Sequence, residues 1–268
     1  MNAPLHSRRN PKVQHVRRLL RSARARREAG QFVAEGVRLA EEALRAGWRP
    51  AWVLFSAAIS DRGRAVVAAF QQQGVPVFAA SPEVMQAASA TETPQGVLLV
   101  LPQQTLPWPS ETNFLLVLDS VHDPGNVGTI LRTAWAAGVQ GVLLSPDCAD
   151  PFNPKVVRAG MGAHFHLPLR RAPWEDLLPL MKGKACFLAA GGEGVPYTAA
   201  DFRQPLALIV GGEAYGAGEA ARQAATQAVH IPMPGGAESL NAAVAAGVLM
   251  FEVVRQRQGE RPPLRHQP

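Results

Sequence analysis

The chain has no run of 18 or more apolar residues, and its opening arginines are not followed by an apolar segment. Neither a membrane-spanning helix nor a secretory signal is expected, and a cytoplasmic protein is. Cysteine is nearly missing. Cys148 and Cys186 stand alone, without C-x-x-C spacing or clustered histidines, which excludes a disulfide framework and a zinc site and predicts two buried thiols and no metal. Aromatic residues are scarce at 6%, yet 47% of the 268 residues are hydrophobic, enough to bury a full core and long enough for two domains. The dinucleotide fingerprint G-x-G-x-x-G and the P-loop pattern G-x-x-x-x-G-K-[ST] are both lacking, which disfavours a dehydrogenase and a P-loop enzyme.

Acidic side chains are missing from one region. Residues 1 to 27 carry nine of the 27 Lys and Arg and no carboxylate, so the rest of the chain holds 18 basic against 21 acidic residues. All the excess positive charge therefore sits at the N-terminus. Val13, Val16, Leu19, Leu20 and Ala23 recur there at helical spacing, which predicts an amphipathic helix with arginines on its other faces. A polyanion suits such a face, through phosphate contacts that give salt-dependent affinity without sequence specificity. Arg17, Arg18, Arg21 and Arg24 are the candidate contacts.

Downstream, short strands alternate with helices. Phe32 and Val33, then residues 51–56, 75–79 and 96–101, read as strands, and 36–46 and 62–73 as helices, with a capped helix start at Ser81-Pro82-Glu83. The segment PQQTLPWPSETN has the composition of an extended linker. It divides residues 1–101, the basic helix with a small α/β domain, from a larger domain at 113–268, with 102–112 between them. Residues 114–118, 139–145, 185–190 and 206–212 are continuous apolar runs, as in parallel strands covered on both faces. Sheets of this kind bind ligands at the carboxyl ends of their strands.

Three segments at such ends carry candidate chemistry. After FLLVL comes DSVHDPGNVGTILRTAWAAG, in which Asn126 reads as a helix N-cap and Arg132 falls about one and a half turns later. An arginine early in a helix opposes the macrodipole and calls for an anionic ligand. LALIVGGEAYGAGEAA ends a strand in glycines and sets Glu213 at its mouth. VHIPMPGGAESLNAAV runs from a short strand, Val229 to Met233, through two prolines and two glycines to Ser239, a good N-cap for the last helix. Each alone is an ordinary strand-to-helix connection.

Together and in this order, the segments resemble the SpoU (TrmH-like) family of RNA ribose methyltransferases. The family's N-x-G-x-I-x-R-T-A is met by Asn126, Gly128, Ile130, Arg132, Thr133 and Ala134, its G-x-E-x-x-G by Gly211, Glu213 and Gly216, and its third motif by Ile231 to Met233 with Ser239 to Asn241. FVAEGVRLAEEAL and TETPQGVL look like the small substrate-binding domain of the ribosomal-RNA branch, and NPKVVRAGMGAHFHLP like a further family segment. Ala214, Ala217 and Gly160 depart from commoner family residues.

The resemblance implies an α/β protein whose C-terminal parallel-sheet domain carries a trefoil knot, an exception to the rule against threaded chains. It implies S-adenosylmethionine as cofactor, RNA as substrate, ribosomal RNA before tRNA, and a homodimer. Gly211, Ile231, Met233 and Leu240 would hold the cofactor. Arg132, Asn126, Glu213, Ser239 and Asn241 would serve the reaction. In the last helix, Leu240, Val244, Gly247, Val248 and Phe251 form one stripe, expected to pack in the core and help form the dimer. A tRNA enzyme, or a non-catalytic RNA-binding protein with the same fold, remain the alternatives.

Overall fold

The computed structural model describes residues 5–213 and 216–258. Backbone proximity divides the chain into two units, one running to Gln104 and including Asp150–His166, the other formed by Thr105–Ala149 and the chain from Leu167 on.

In the first unit, α1 (Pro11–Arg21) and α2 (Ala23–Ala29) precede β1 (Gln31–Glu35), α3 (Val37–Arg45), β2 (Trp52–Ser56), α4 (Asp61–Gln72), β3 (Val77–Ala80), α5 (Pro82–Ala88) and β4 (Val97–Pro102). The sheet order is β1-β4-β2-β3, with β4 antiparallel to both neighbours and β2 parallel to β3. The expected basic helix is two helices. Ser22 is extended, and its hydroxyl accepts from Ala25 N, so α1 ends where α2 is capped. Val13, Val16 and Leu19 are fully buried against Leu54, Leu98 and Val100. Each contributes about 2 kcal/mol of apolar burial, which ties α1 to the core. Arg17 is half-buried, while Arg18, Arg21 and Arg24 are exposed, with Arg24 paired to Glu28. Arg26 does not join them. Only 3% exposed, its guanidinium binds Asp150 at 2.5 Å and the Leu19 carbonyl at 2.6 Å.

The second unit holds β5 (Phe114–Asp119), α6 (Pro124–Ala136), β6 (Gly141–Leu144), β7 (Leu169–Arg171), α8 (Trp174–Met181), β8 (Ala185–Ala189), β9 (Val195–Pro196), β10 (Leu206–Gly211), α9 (Glu219–Ala224), β11 (Gln227–His230) and α10 (Ala242–Gln258). Its seven strands lie in the order β7-β6-β5-β10-β8-β11-β9, every pair parallel. The four strands expected here are its centre, and the short edge strands β7 and β9 escaped notice because two or three residues show no periodicity. Trp108, in the proline-rich segment, stacks on Gly141, where an added Cβ would come within 2.5 Å of the indole. That segment is thus anchored rather than free.

Between β6 and β7, α7 (Pro154–Gly160) and its flanks leave the expected 113–268 grouping and join the first unit. The cause is aromatic. Phe152 packs on Phe32 with ring centroids 4.9 Å apart, Phe165 packs on Trp48 at 5.2 Å, and Trp48 Nε1 donates to the Phe165 carbonyl at 3.2 Å.

The stripe expected to pack in the core is divided, with Leu240, Gly247 and Val248 half-buried and the other two facing outward. Val244 and Phe251 are 51% and 49% exposed, whereas α10 buries Ala243, Ala246, Leu249, Met250 and Val253 on its other side. The sequence offered two apolar stripes on one helix, and the wider one took the core. Both cysteines are buried and unbonded, and burial pushes both thiols up, which leaves neither a nucleophile. No described helix is long and apolar enough to cross a membrane, and the described residues contain no cluster of metal-ligating side chains.

Candidate functional site

Beyond the carboxyl ends of β8, β10 and β11 lies a cavity of about 1000 Å³. Its walls are the turn after β8 (189–192), the turn after β10 (Gly211 to Glu213, with Gly216), the chain after β11 (231–234), residues 237–241 and the first turns of α10. Of the nine residues expected at the site, Gly211, Glu213, Ile231, Met233, Ser239, Leu240 and Asn241 line this space.

The chain after β11 builds one wall because the strand stops early. It ends at His230 rather than Met233, so Ile231 to Met233 lie outside the sheet ladder with their backbone groups unspent on a neighbouring strand. Likewise Ser239 is not the cap of the last helix. Asn241 is, its Oδ1 accepting from Ala243 N at 2.9 Å and Val244 N at 3.3 Å, and α10 starts at Ala242. Ser239 is exposed at the cavity wall.

The N-cap of α6 is Asp123, whose Oδ1 accepts from Asn126 N at 2.8 Å, with Pro124 at the first helical position. Asn126 is therefore inside the helix with its carboxamide unused by the backbone. Its Nδ2 donates to Glu213 Oε1, and its Oδ1 accepts from Asn241 Nδ2 at 3.0 Å. Asn241 Nδ2 also reaches Glu213 Oε1 at 3.2 Å, closing a triangle of one carboxylate and two amides drawn from all three segments. The amide orientation follows from the chemistry, since flipping Asn126 would set its carbonyl against the carboxylate.

Arg132 stands apart. It is exposed, does not line the cavity, and its side chain makes no hydrogen bond or ion pair among the described residues. Counted from Pro124 it is the ninth residue of α6, deeper than the N-terminal turns, so the macrodipole argument for an anion there does not hold. Its neighbour Thr133 lies against α10, where a Cβ added at Gly247 would come 3.7 Å from Thr133 Cγ2.

Two parts of the wall went unseen in the sequence. The turn at 189–192 ends a buried parallel strand in glycines, the same signal that marked Gly211, and was readable on that ground. His230 also lines the cavity, with Nδ1 buried and lacking a partner among the described residues. A Cβ added at Gly191 or Gly192 would meet nothing within 4 Å, so a ligand can approach these backbones closely. Among the described residues the lining offers apolar contacts and backbone groups, two acidic side chains in Glu213 and Glu238, and no Lys or Arg. This suits a flat heteroaromatic ligand carrying positive charge.

Comparison with known proteins places these features in context. Residues 113–251 match the SpoU rRNA Methylase family, and residues 10–99 match the MRM3-like substrate binding domain. The 23S rRNA (guanosine(2553)-2'-O)-methyltransferase RlmP of Bacillus subtilis is 33% identical over 93% of this chain and 98% of its own. A crystal structure of an AdoMet-bound rRNA methyltransferase from Sinorhizobium meliloti superposes with a TM-score of 0.84 at 32% identity, covering 94% of this chain and 97% of that one. The SpoU methyltransferase AviRb from Streptomyces viridochromogenes, in complex with AdoMet, gives 0.85 at 30% identity, covering 94% and 100%.

Proposed function

This chain belongs to the SpoU rRNA methylase family, and from that premise we propose that it transfers a methyl group from S-adenosylmethionine to a ribose 2′-hydroxyl of ribosomal RNA. Its fold class is the α/β knot of that family, carried on the parallel sheet of the second unit. The observation that carries the proposal is the union of two features at one place: a backbone-lined cavity, and a hydrogen-bonded triangle of Asn126, Glu213 and Asn241 that includes two of its wall residues. Two relatives that match 93% of this chain, first unit included, are named for 23S rRNA, which favours that substrate over tRNA.

The cavity fits the cofactor. Gly211, Ile231, Met233 and Leu240 supply an apolar, close-approach surface for an adenosine, and Glu213 and Glu238 complement its positive charge. When bound, S-adenosylmethionine supplies an electrophilic methyl carbon. Transfer to the ribose oxygen would break the carbon–sulfur bond, release the neutral thioether and shed the hydroxyl proton to solvent. The chain's own task is to align that oxygen and to stabilise the negative charge it gathers.

In our reading, Asn126, Ser239 and Asn241 orient the hydroxyl, and Glu213 fixes the two amides. Arg132, always protonated, serves as a phosphate contact and a stabiliser of developing alkoxide rather than as a base. Its exposure supports contact with RNA. Arg17, Arg18, Arg21 and Arg24 supply phosphate contacts of their own. The outward apolar face of α10 supports a homodimer, and a cytoplasmic location accompanies an RNA substrate of this kind. The test is a map of 2′-O-methylated positions in ribosomal RNA from cells with and without the protein. One position should lose its methyl group, whereas a loss confined to tRNA would reject the substrate assigned here.

A further inference from the structure

In the glycine-rich turn that presents Glu213, Ala217 is buried in the core, and the glycines bring no side chain to pack. Gly211 and Gly212 have no side chains, and Gly216 adopts φ +66°. Yet the turn is closely seated. A Cβ at Gly211 would fall 2.4 Å from Ala217 N, one at Gly212 would fall 2.2 Å from Ser120 O, and Gly216 N donates to Gly212 O at 3.0 Å.

One residue meets both ends of this turn. Asp119, the last residue of β5, pairs through its backbone with Gly211 in the parallel ladder. Its carboxylate Oδ2 accepts from Gly218 N at 2.7 Å, the N-cap of α9, where the turn ends. The other oxygen, Oδ1, accepts from Trp174 Nε1 at 3.0 Å, which fixes the carboxylate plane. Asp119 is 3% exposed and has no cationic partner among the described residues. A carboxylate buried with two neutral donors is a costly choice for mere filling, since an apolar residue would pack there without desolvating a charge.

We propose that Asp119 is a positioning residue for methyl transfer, with Trp174 as its orienting partner: it brackets the turn from Gly211 to Gly218 and thereby sets Glu213 against Asn126 and Asn241. The proposal rests on the reading of the cavity as the methyl-donor site. It assigns to Asp119 no contact with substrate or cofactor, and its action runs through the turn.

The test uses the full-length protein and two variants, Asp119→Asn and Trp174→Phe, with thermal melting to count folded molecules. Asparagine keeps the shape but turns an N–H₂ toward one of the two donors, so one bracket bond is lost. The expected result is a Kd for S-adenosylmethionine raised about tenfold or more in Asp119→Asn, with kcat lowered and KM for RNA unchanged, because a displaced turn spoils alignment. Trp174→Phe should move Kd and kcat the same way by less. A wild-type Kd and a wild-type kcat per folded molecule in Asp119→Asn would overturn the proposal, since a purely structural role lowers only the folded fraction. If Asp119→Asn does not fold, a wild-type Kd in Trp174→Phe overturns it instead. Failure of the unaltered protein to bind S-adenosylmethionine would sink the reading of the cavity, and this proposal with it.

Discussion

At the scale of single residues, the site is a matter of which polar groups the backbone leaves free. Asn126 can reach Glu213 because Asp123 caps α6, and Asn241 caps α10 while its amide nitrogen still serves the triangle. The sequence showed these residue types but not this division, because Asn and Asp have similar capping preferences and only the Asp-Pro pair distinguishes the true helix start. Glu213→Ala should cut kcat about 100-fold, as the amides of Asn126 and Asn241 would then lose the oxygen they share. A turnover assay reads this directly, and near-normal turnover would mean the triangle is incidental. For Arg132 the discriminating pair is Lys and Ala. If charge is its contribution, Arg132→Lys keeps appreciable turnover while Arg132→Ala loses about 100-fold, whereas equal loss in both would favour a geometric role for the guanidinium.

At the scale of elements, α2 and α10 each have a face whose use periodicity alone could not assign. In α1 the apolar stripe was read correctly, and Val13, Val16 and Leu19 are buried. Arg26 was not separable from its neighbours by sequence, because its partner Asp150 lies 124 positions away. Removing residues 1 to 27 would expose that core and orphan Asp150, so the RNA contact is better tested by Arg18→Glu with Arg21→Glu. That pair should weaken RNA binding and flatten its dependence on salt, leaving the Kd for S-adenosylmethionine unchanged. An unchanged salt slope would remove these arginines from the RNA surface. In α10, Val244→Glu with Phe251→Glu should convert a dimer to a folded monomer in sedimentation, since both side chains are half exposed and cost the core nothing. A wild-type that sediments as a monomer would contradict the dimer.

At the scale of the whole molecule, the parallel sheet was legible because its central strands are unbroken apolar runs, and so was the small α/β domain. What escaped was the transfer of 150–166 to the first unit, since aromatic packing between distant residues leaves no local signature. That transfer carries a pH dependence. His164 is fully buried beside Phe152, and burial lowers its pKa from 6.5 to about 4 despite its hydrogen bond to the Pro151 carbonyl. Below pH 6.5 the unfolded chain binds a proton that the folded chain refuses until about pH 4. Stability therefore falls as pH falls across that window, by about 3 kcal/mol in all. Carboxylates held low by neighbours, such as Glu252 beside Arg255, lose their contribution only at lower pH. Melting curves from pH 7.5 to 5 should show the decline, and His164→Gln should flatten it. Purified protein incubated with methyl-labelled S-adenosylmethionine and unmodified ribosomal RNA should label a single nucleotide and make the following phosphodiester bond resistant to alkali, the mark of a blocked 2′-hydroxyl. Label on a base, with that bond still cleaved, or no label at all, would contradict ribose methylation of ribosomal RNA.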